Sequence, residues 1–204
     1  MKLLLGVSGA SGLIYGLRAA EILKDLGHET LCVVTDGALK VAEDECLGKE
    51  GFINSLTRLC SNLYREGEWE APIASSSCIL DGGLVIPCSL KTLAEIANGL
   101  QGNLLSRAVN NLLRMGRKVV LVVRETPLSL PDLENMVKAS RAGATIMPAS
   151  PAFYINPLGI SDLVDFIVGK ALDVLGVKNS LYRRWEGFTP GSRFCDRFYG
   201  SEGL

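Results

Sequence analysis

Short apolar runs alternate along the chain with longer segments in which apolar and charged residues recur at helical spacing. The apolar runs have the length of strands buried on both faces, and they cover residues 2–7, 29–35, 83–87, 118–123 and 144–147. The spacing predicts helices over 13–26, 38–46, 52–64, 92–99, 104–115, 131–142 and 162–175. Strands separated by helices pair in parallel, so the pattern predicts an α/β fold. We expect a Rossmann-like (flavodoxin-like), doubly wound, mostly parallel sheet in a three-layer α/β/α sandwich.

Turn and capping residues set the expected limits of these elements. Gly27 and Gly176 are suited to end helices, Pro131 to begin one, and Ser161 to cap the last long helix. Residues 65–81 contain a proline and three consecutive serines and are expected to form a loop. Residues 1–185 are expected to form one domain. Residues 186–204 are glycine-rich and weakly patterned, which predicts a tail that serves as an active-site cover or a subunit contact.

Composition excludes several functional classes. The 204 residues suffice for one well-buried domain, and a formal net charge of −1 gives no global attraction for nucleic acid or an anionic membrane. A membrane span needs about 20 consecutive apolar residues, which the chain lacks, and the N-terminus does not have a signal-peptide pattern. We therefore expect a cytoplasmic protein. The six cysteines form no Cys-x-x-Cys pair, so buried free thiols are expected rather than disulfides or a zinc site.

Three polar segments follow predicted strands. Residues 6–12 read Gly-Val-Ser-Gly-Ala-Ser-Gly and lead into a helix, where small residues and free N–H groups favour phosphate binding. The spacing is not Gly-x-Gly-x-x-Gly, and a tight turn without a ligand is the alternative. Residues 87–94 and 124–128 also follow strands. The carboxyl ends of parallel strands meet at one edge, so we expect these segments to contact one nucleotide.

Taken together, several ordered motifs resemble one enzyme family. They are Gly-Ala-Ser-Gly (9–12), Tyr-Gly-Leu-Arg (15–18), Pro-Ile-Ala-Ser (72–75), Pro-Cys-Ser (87–89), Asn-Leu-Leu-Ser-Arg-Ala (103–108), Arg-Glu-Thr-Pro-Leu (124–128) and Pro-Ala-Phe-Tyr (151–154). The chain resembles the UbiX/Pad1 flavin prenyltransferases from residue 2 to about residue 185. That resemblance implies that dimethylallyl phosphate alkylates reduced flavin mononucleotide (FMN) at N5 and then at C6. It also implies that the prenylated FMN passes to a UbiD-type decarboxylase, that no metal is required, and that the protein is a homo-oligomer, commonly a dodecamer.

The resemblance also assigns roles to residues around the flavin. The expected FMN-binding residues are Gly9, Ala10, Ser11, Thr35, Ser89, Leu90, Lys91, Thr92 and Arg124. The expected catalytic residues are Ser11, close to N5, Glu45, which manages protons during ring closure, and Glu125. From the sequence alone, Glu45 is also consistent with a solvated helix charge beside Glu43 and Asp44.

A second set of residues is expected at the prenyl phosphate: Arg107, Arg114, Tyr154, Lys170 and Trp185. Arg114 stands where the family commonly has lysine, and Lys170 where it commonly has arginine. Because arginine offers a planar fork and lysine a point charge, this exchange leaves the preference between monophosphate and diphosphate open. Lys170 as a surface residue and Trp185 as a subunit contact are the alternatives.

Two other functions remain. A flavin-dependent cysteine decarboxylase would need a histidine at the flavin, and the only histidine is His28, which follows the first predicted helix. A non-catalytic flavin carrier would explain the glycine-rich turn but not a second cationic phosphate site.

Overall fold

The computed structural model describes residues 1–187 and 194–199, and residue 199 by its backbone only. The strands are β1 (Lys2–Val7), β2 (Glu29–Val34), β3 (Asn62–Arg65), β4 (Gly82–Cys88), β5 (Lys118–Val123) and β6 (Ala144–Pro148). The helices are α1 (Leu13–Asp25), α2 (Asp36–Glu45), α3 (Gly48–Leu59), α4 (Leu90–Ala97), α5 (Leu104–Arg114), α6 (Leu130–Arg141), α7 (Ile160–Leu175) and α8 (Phe194–Tyr199). A short 3₁₀ turn covers Pro72–Ala74. No helix in the described ranges is both long and apolar enough to cross a membrane.

The six strands form one parallel sheet in the order β3-β2-β1-β4-β5-β6. The five predicted strands alone would have the flavodoxin order, and the edge strand β3 extends it to the Rossmann order. The helix predicted over 52–64 is therefore wrong at its end. It stops at Leu59, and Asn62 pairs with Leu31 of β2. A four-residue, half-exposed edge strand is too short for a clear periodic signal, and its pairing with β2 decides its conformation.

Alternation of side chains along the strands builds the predicted three layers. Leu3, Leu5 and Val7 of β1 face one core, which is closed by α1, α2, α3 and α7. Leu4 of the same strand faces a second core, closed by α4, α5 and α6. Strand β4 is buried along its whole length, as expected for a strand covered by helices on both sides. The doubly wound α/β prediction is confirmed.

The helix limits agree with the turn chemistry at most positions. Gly176 ends α7 with φ 87°, in the left-handed region that glycine adopts readily. Pro131 is the second residue of α6, one position later than predicted. Ser161 was wrongly predicted as a cap, because α7 begins at Ile160. The carboxylate of Asp162 accepts from the N–H groups of Leu158 (2.6 Å) and Gly159 (3.3 Å) and stabilises this end.

Part of the predicted tail folds back on the domain. The ring of Phe194 in α8 lies 5.0 Å from that of Phe153, measured between centroids. Arg197 donates to the backbone oxygens of Asn156 and Pro157, both at 2.9 Å. Residues 188–193 and 200–204, also in the predicted tail, lie outside the described residues. Helix α8 thus contacts the loop that follows β6.

Candidate functional site

The carboxyl ends of β1 and β4 are joined by a buried serine. The hydroxyl of Ser8 donates to the carbonyl of Pro87 (3.0 Å) and accepts from the N–H of Ser89 (2.8 Å). The glycine-rich turn and the start of α4 are therefore held side by side at the point where the strand order reverses, the usual ligand position in such sheets. Ser8 is fully buried, so its hydroxyl joins the two loops rather than facing a ligand.

Close backbone approach explains a glycine in the first turn. A Cβ at Gly9 would lie 2.8 Å from both the Cα and the carbonyl carbon of Gly37, at the start of α2. Only a residue without a side chain allows the two loops to approach this closely without a shift. The turn after β1 and the turn after β2 therefore form one continuous wall.

A cleft of about 260 Å³ opens beside this wall, and we call it the flavin cleft. It is lined by Gly9, Thr35, Gly37, Glu66, Ser89, Leu90, Lys91, Thr92 and Glu125. Thr35 caps α2 by accepting from the N–H of Ala38 (3.1 Å), and Ser89 caps α4 by accepting from that of Thr92 (3.3 Å). The N–H groups of Leu90 and Lys91 take no part in this cap. Two helix starts therefore point at one cleft, which suits a phosphate.

Glu45, the last residue of α2, lies against the start of α1. Its carboxylate accepts from the Ser11 hydroxyl, from the Gly12 N–H at 2.9 and 2.8 Å, and from the Leu13 N–H at 2.8 Å. Partial burial by itself would raise the pKa of the Glu45 carboxyl. The hydrogen bonds from Ser11, Leu13 and Gly12 outweigh that effect, and the pKa lies below its usual value.

This arrangement corrects one expectation about the glycine-rich turn. The N–H groups at the start of α1 were expected to face a phosphate, but those of Gly12 and Leu13 already hold the carboxylate of Glu45. Glu45 is therefore bound to the turn and is not a free charge on a helix surface. Among the helix starts at this edge, those of α2 and α4 line the flavin cleft instead.

The segment after β5 completes this part of the edge. Arg124 donates from Nε to the carbonyl of Ser11 (3.1 Å), and its positive charge contributes to the lowered pKa of Glu45. Glu125 lies on the rim of the flavin cleft and accepts from the N–H of Thr126 (3.0 Å). The structure thus brings Ser11, Glu45 and Arg124 together, with Glu125 nearby.

Four aromatic rings gather near the loop after β6, and we call them the aromatic cluster. The ring of Tyr154 lies edge-on to those of Trp185 (5.4 Å) and Phe166 (6.0 Å), and Phe166 lies 5.1 Å from Tyr182. The ammonium of Lys170 lies 5.5 Å from the Tyr182 ring and 5.9 Å from the Phe166 ring. Three of the predicted prenyl-phosphate residues, Tyr154, Lys170 and Trp185, are therefore neighbours.

The other two predicted prenyl-phosphate residues lie elsewhere in the chain. Arg107 and Arg114 are on α5, which packs on the opposite face of the sheet from α7. Arg107 donates to the carbonyl of Ala74 (2.9 Å) and to Gln101, and Arg114 donates to Asn111 (3.1 Å). Within one chain Arg107 does not lie near Tyr154, because the sheet separates α5 from the aromatic cluster.

Sequence reasoning missed three residues at this edge. Phe166 and Tyr182 complete the aromatic cluster, and Phe166 could have been found from its position one helical turn before Lys170. Glu66 lines the flavin cleft directly after the missed strand β3. Its Oε1 accepts from the N–H of Asp36 (3.1 Å), while its buried Oε2 has no partner among the described residues.

Within residues 1–187 and 194–199, no group of three or more His, Cys, Asp or Glu side chains is placed to hold a metal ion. The six cysteines are free thiols, and Cys32, Cys60 and Cys88 are buried. His28 contacts the N-terminal ammonium of Met1 through Nδ1 at 3.0 Å. That contact lies where β1 and β2 begin, at the opposite edge of the sheet from the flavin cleft.

Comparison with known proteins identifies the family of this chain. The family described as Flavoprotein matches residues 1–172. A flavin prenyltransferase UbiX from Saccharolobus solfataricus is 50% identical over 188 residues, covering 91% of this chain and 92% of the relative. A crystal structure of AnUbiX (PadA1) in complex with FMN and dimethylallyl pyrophosphate is 35% identical, with a TM-score of 0.87 over 92% of this chain and 98% of that one.

A further solved structure extends this agreement. A dodecameric FMN-dependent UbiX-like decarboxylase from Escherichia coli O157:H7 is 37% identical, with a TM-score of 0.86 over 92% of this chain and all of that chain. The sequence motifs, the fold and the arrangement at the carboxyl ends of the strands are thus consistent with one family. The chain belongs to the Flavoprotein family and, within it, to the flavin prenyltransferases of the UbiX type.

Proposed function

We propose that this protein transfers the dimethylallyl group of dimethylallyl phosphate to N5 and C6 of reduced FMN, and that a UbiD-type decarboxylase receives the product. The observation that carries this proposal is the arrangement of the carboxyl edge. A cleft at two helix starts, a bound carboxylate, and an aromatic cluster with a cation follow neighbouring strands. The related AnUbiX (PadA1), crystallised with FMN and dimethylallyl pyrophosphate, supports the choice of substrates.

The flavin cleft fits FMN by its shape and by its donors. The N–H groups of Leu90 and Lys91 and the hydroxyl of Thr92 would hold the phosphate at the start of α4. The unpartnered oxygen of Glu66 would accept from a ribityl hydroxyl, which satisfies a buried acceptor. Gly9 and Ala10 keep the wall thin enough for the ring system to lie close to the backbone. When bound and reduced, the flavin supplies two nucleophilic positions, N5 and then C6.

The aromatic cluster suits an allylic phosphate. Breaking the allylic carbon–oxygen bond sends its electron pair to the departing phosphate, whose negative charge the ammonium of Lys170 and the hydroxyl of Tyr154 would stabilise. The faces of Tyr154 and Trp185 would lie against the positively charged allylic carbons, an electrostatic attraction that grows as water is excluded. The preference of the protein for a monophosphate or a diphosphate substrate would depend on how the compact ammonium charge of Lys170 contacts the phosphate oxygens.

Ring closure needs a carboxylate that can exchange a proton. C6 gives up one proton when its new bond forms, and the alkene of the prenyl group takes up another. Because the pKa of Glu45 is lowered, this group is a carboxylate at neutral pH and can accept the first of these protons. The hydroxyl of Ser11, bonded to Glu45, would relay it, and Glu125 on the cleft rim would be the second carboxylate.

We infer further that Arg107 and Arg114 reach the phosphate from a second copy. Both lie on α5, remote from the aromatic cluster of their own chain. The related Escherichia coli protein is described as dodecameric. A homo-oligomer in which α5 of one copy faces Tyr154 of another would bring all five predicted substrate residues into one site.

Two alternatives fit the geometry less well. A cysteine decarboxylase that uses a histidine at the flavin is disfavoured, because His28 bonds the N-terminus at the other edge of the sheet. A flavin carrier would need the flavin cleft but would not require Lys170 over an aromatic pair beside Tyr154.

Anaerobic incubation with reduced FMN and dimethylallyl phosphate tests the proposal. The flavin released by denaturation is expected to gain the mass of one isoprene unit, and inorganic phosphate is expected to appear in equal amount. An unchanged flavin mass, under conditions in which a known family member converts FMN, would reject prenyl transfer. Repeating the reaction with a chelator tests the expectation that no metal participates.

A further inference from the structure

One face of α7 holds the segment that carries Trp185. Gly169 and Lys170 each lie three or four residues from both Phe166 and Asp173, so these residues share one side of the helix. Residues 179–185, which we call the Trp185 segment, run back over this face after the helix ends. Within the segment Trp185 is 63% exposed, so little packing holds its ring in place.

The carboxylate of Asp173 anchors the Trp185 segment at three points. It accepts from both terminal nitrogens of Arg184 (2.7 and 2.8 Å), from the hydroxyl of Tyr182 (2.5 Å) and from the amide of Asn179 (3.0 Å). The hydrogen bonds from Arg184 hold the pKa of the Asp173 carboxyl below its usual range. Such a bidentate, multiply bonded carboxylate fixes direction as well as distance.

The same face of α7 is shaped to receive the segment. A Cβ at Gly169 would lie 2.6 Å from the Tyr182 ring and 2.9 Å from Oδ1 of Asn179. Asn179 in turn donates to the carbonyl of Gly169 (3.1 Å). Tyr182 can therefore lie this close to the helix only because residue 169 has no side chain.

The contacts of Asp173 also fix the surroundings of Lys170 and Trp185 in the aromatic cluster. Tyr182, held through its hydroxyl, lies beneath the ammonium of Lys170, and Arg184 precedes Trp185 directly. Arg184 forms an ion pair with the carboxylate of Asp173. Lys170, on the same face of α7, forms no ion pair with a carboxylate among the described residues and contacts the rings of Tyr182 and Phe166 instead.

We propose that Asp173 is a positioning residue of the prenyl-phosphate site: its carboxylate holds Tyr182 and Arg184 and so places Trp185 against Tyr154. Asp173 itself need not touch the substrate. The proposal rests on the proposed function in one respect only, namely that dimethylallyl phosphate binds at the aromatic cluster.

The test uses the full-length protein with Trp69→Phe, which leaves Trp185 as the single tryptophan, since the chain has two. In this background Asp173→Asn removes the charge and one acceptor. We expect the fluorescence anisotropy of Trp185 to fall. We also expect the Kd for dimethylallyl phosphate, read from quenching of Trp185, to rise about tenfold, which corresponds to a loss of about 1.4 kcal/mol of binding free energy. The Kd for FMN is expected to stay unchanged.

Three variants separate positioning from general damage. Gly169→Ala, which displaces Tyr182, is expected to reproduce the effect, and Tyr182→Phe, which loses one hydrogen bond, to give part of it. The matched control is Asp165→Asn, which removes a comparable ion pair with Arg18 (2.7 Å) on the same helix. This control is expected to leave both Trp185 readouts unchanged.

Each outcome decides the proposal. Unchanged anisotropy in Asp173→Asn, or lowered anisotropy with an unchanged Kd for dimethylallyl phosphate, overturns it, as does an equal effect in Asp165→Asn. If the unsubstituted protein binds dimethylallyl phosphate but does not prenylate FMN, the proposed function fails. The binding readout still tests the role of Asp173 in that case.

Discussion

The flavin cleft and the aromatic cluster lie at the same edge of the sheet but are built differently. The flavin cleft is formed by backbone at the starts of α2 and α4 and by hydroxyls that are nearly buried, since Thr35 is 5% and Ser89 9% exposed. Two rings of the aromatic cluster lie at the surface, since Tyr154 is 40% and Trp185 63% exposed, and Tyr154 packs against the buried ring of Phe166. The first region is a direct product of the core, and the second depends on contacts between distant surface segments.

Because the two regions are built differently, they differ in whether one chain supplies all of their residues. The walls of the flavin cleft follow the strands that form the core, so they are in place as soon as the sheet forms. The aromatic cluster has one nearby cation within the described residues that is not paired to a carboxylate, and two predicted cations lie across the sheet. We therefore expect the flavin cleft to be complete in one chain and the prenyl-phosphate site to need a second copy.

Replacing the carboxylate of Glu45, which is bound by the glycine-rich turn beside the flavin cleft, should have the largest effect. Glu45→Gln keeps the shape of the side chain but removes its ability to accept a proton at neutral pH. We expect ring formation to slow by about 10²–10⁴-fold, the usual contribution of a general base, while FMN still binds. Anaerobic single-turnover kinetics with mass analysis of the flavin would measure this. Full activity in Glu45→Gln would remove Glu45 from the mechanism.

Mixing inactive variants tests whether the second region is shared between copies. Tyr154→Phe and Arg114→Ala are each expected to lower turnover by about 10²-fold, the typical effect of removing one donor to a developing anion. After the two variants are unfolded and refolded together, about a quarter of the sites should contain both native residues if neighbouring copies share them. Turnover should then recover to a similar fraction.

The control for that mixture is Arg117→Ala, which removes an exposed arginine shortly after α5. It is expected to leave turnover unchanged. Failure of the mixed sample to recover, although it forms the same oligomer as the native protein, would contradict the shared site.

A smaller effect is expected from disturbing the wall of the flavin cleft. Gly9→Ala places a Cβ 2.8 Å from the backbone of Gly37 and must push the two loops apart. Overpacking of this kind typically costs 1–3 kcal/mol, so the affinity for FMN should fall by about tenfold. Gly67→Ala is the matched control, because a Cβ there would meet nothing within 4 Å. Titration of flavin fluorescence would distinguish the two variants, and equal affinities would contradict a role of the Gly9–Gly37 contact in shaping the flavin cleft.

The smallest predicted effect concerns pH and stability. The folded pKa of Glu45 lies below the usual 4.5, so its contribution to stability is present above pH 4.5 and is lost as the pH falls through the lowered value. The difference in Tm between the native protein and Glu45→Gln should therefore shrink as the pH is lowered through this range. Thermal unfolding at several pH values would measure it, and a difference independent of pH would contradict the hydrogen-bonded carboxylate.

The local pattern of apolar and polar residues was sufficient to predict most of the fold. The apolar runs identified β1, β2, β4, β5 and β6, because strands buried on both faces carry a continuous apolar signal. The same pattern did not predict β3, because its four residues are half exposed and acquire their conformation from pairing with β2. Glu66, which lines the flavin cleft directly after β3, was missed for the same reason.

The sequence by itself determined that polar segments follow the strands at one edge, because parallel strands of a doubly wound sheet end on the same side. Only the tertiary structure decided how those segments are used. It placed Glu45 on the N–H groups of Gly12 and Leu13, more than thirty residues away, and it placed α5 on the far face from Tyr154. Periodicity specifies which face of a helix is buried, whereas the meeting of two distant side chains depends on how helices pack across the sheet.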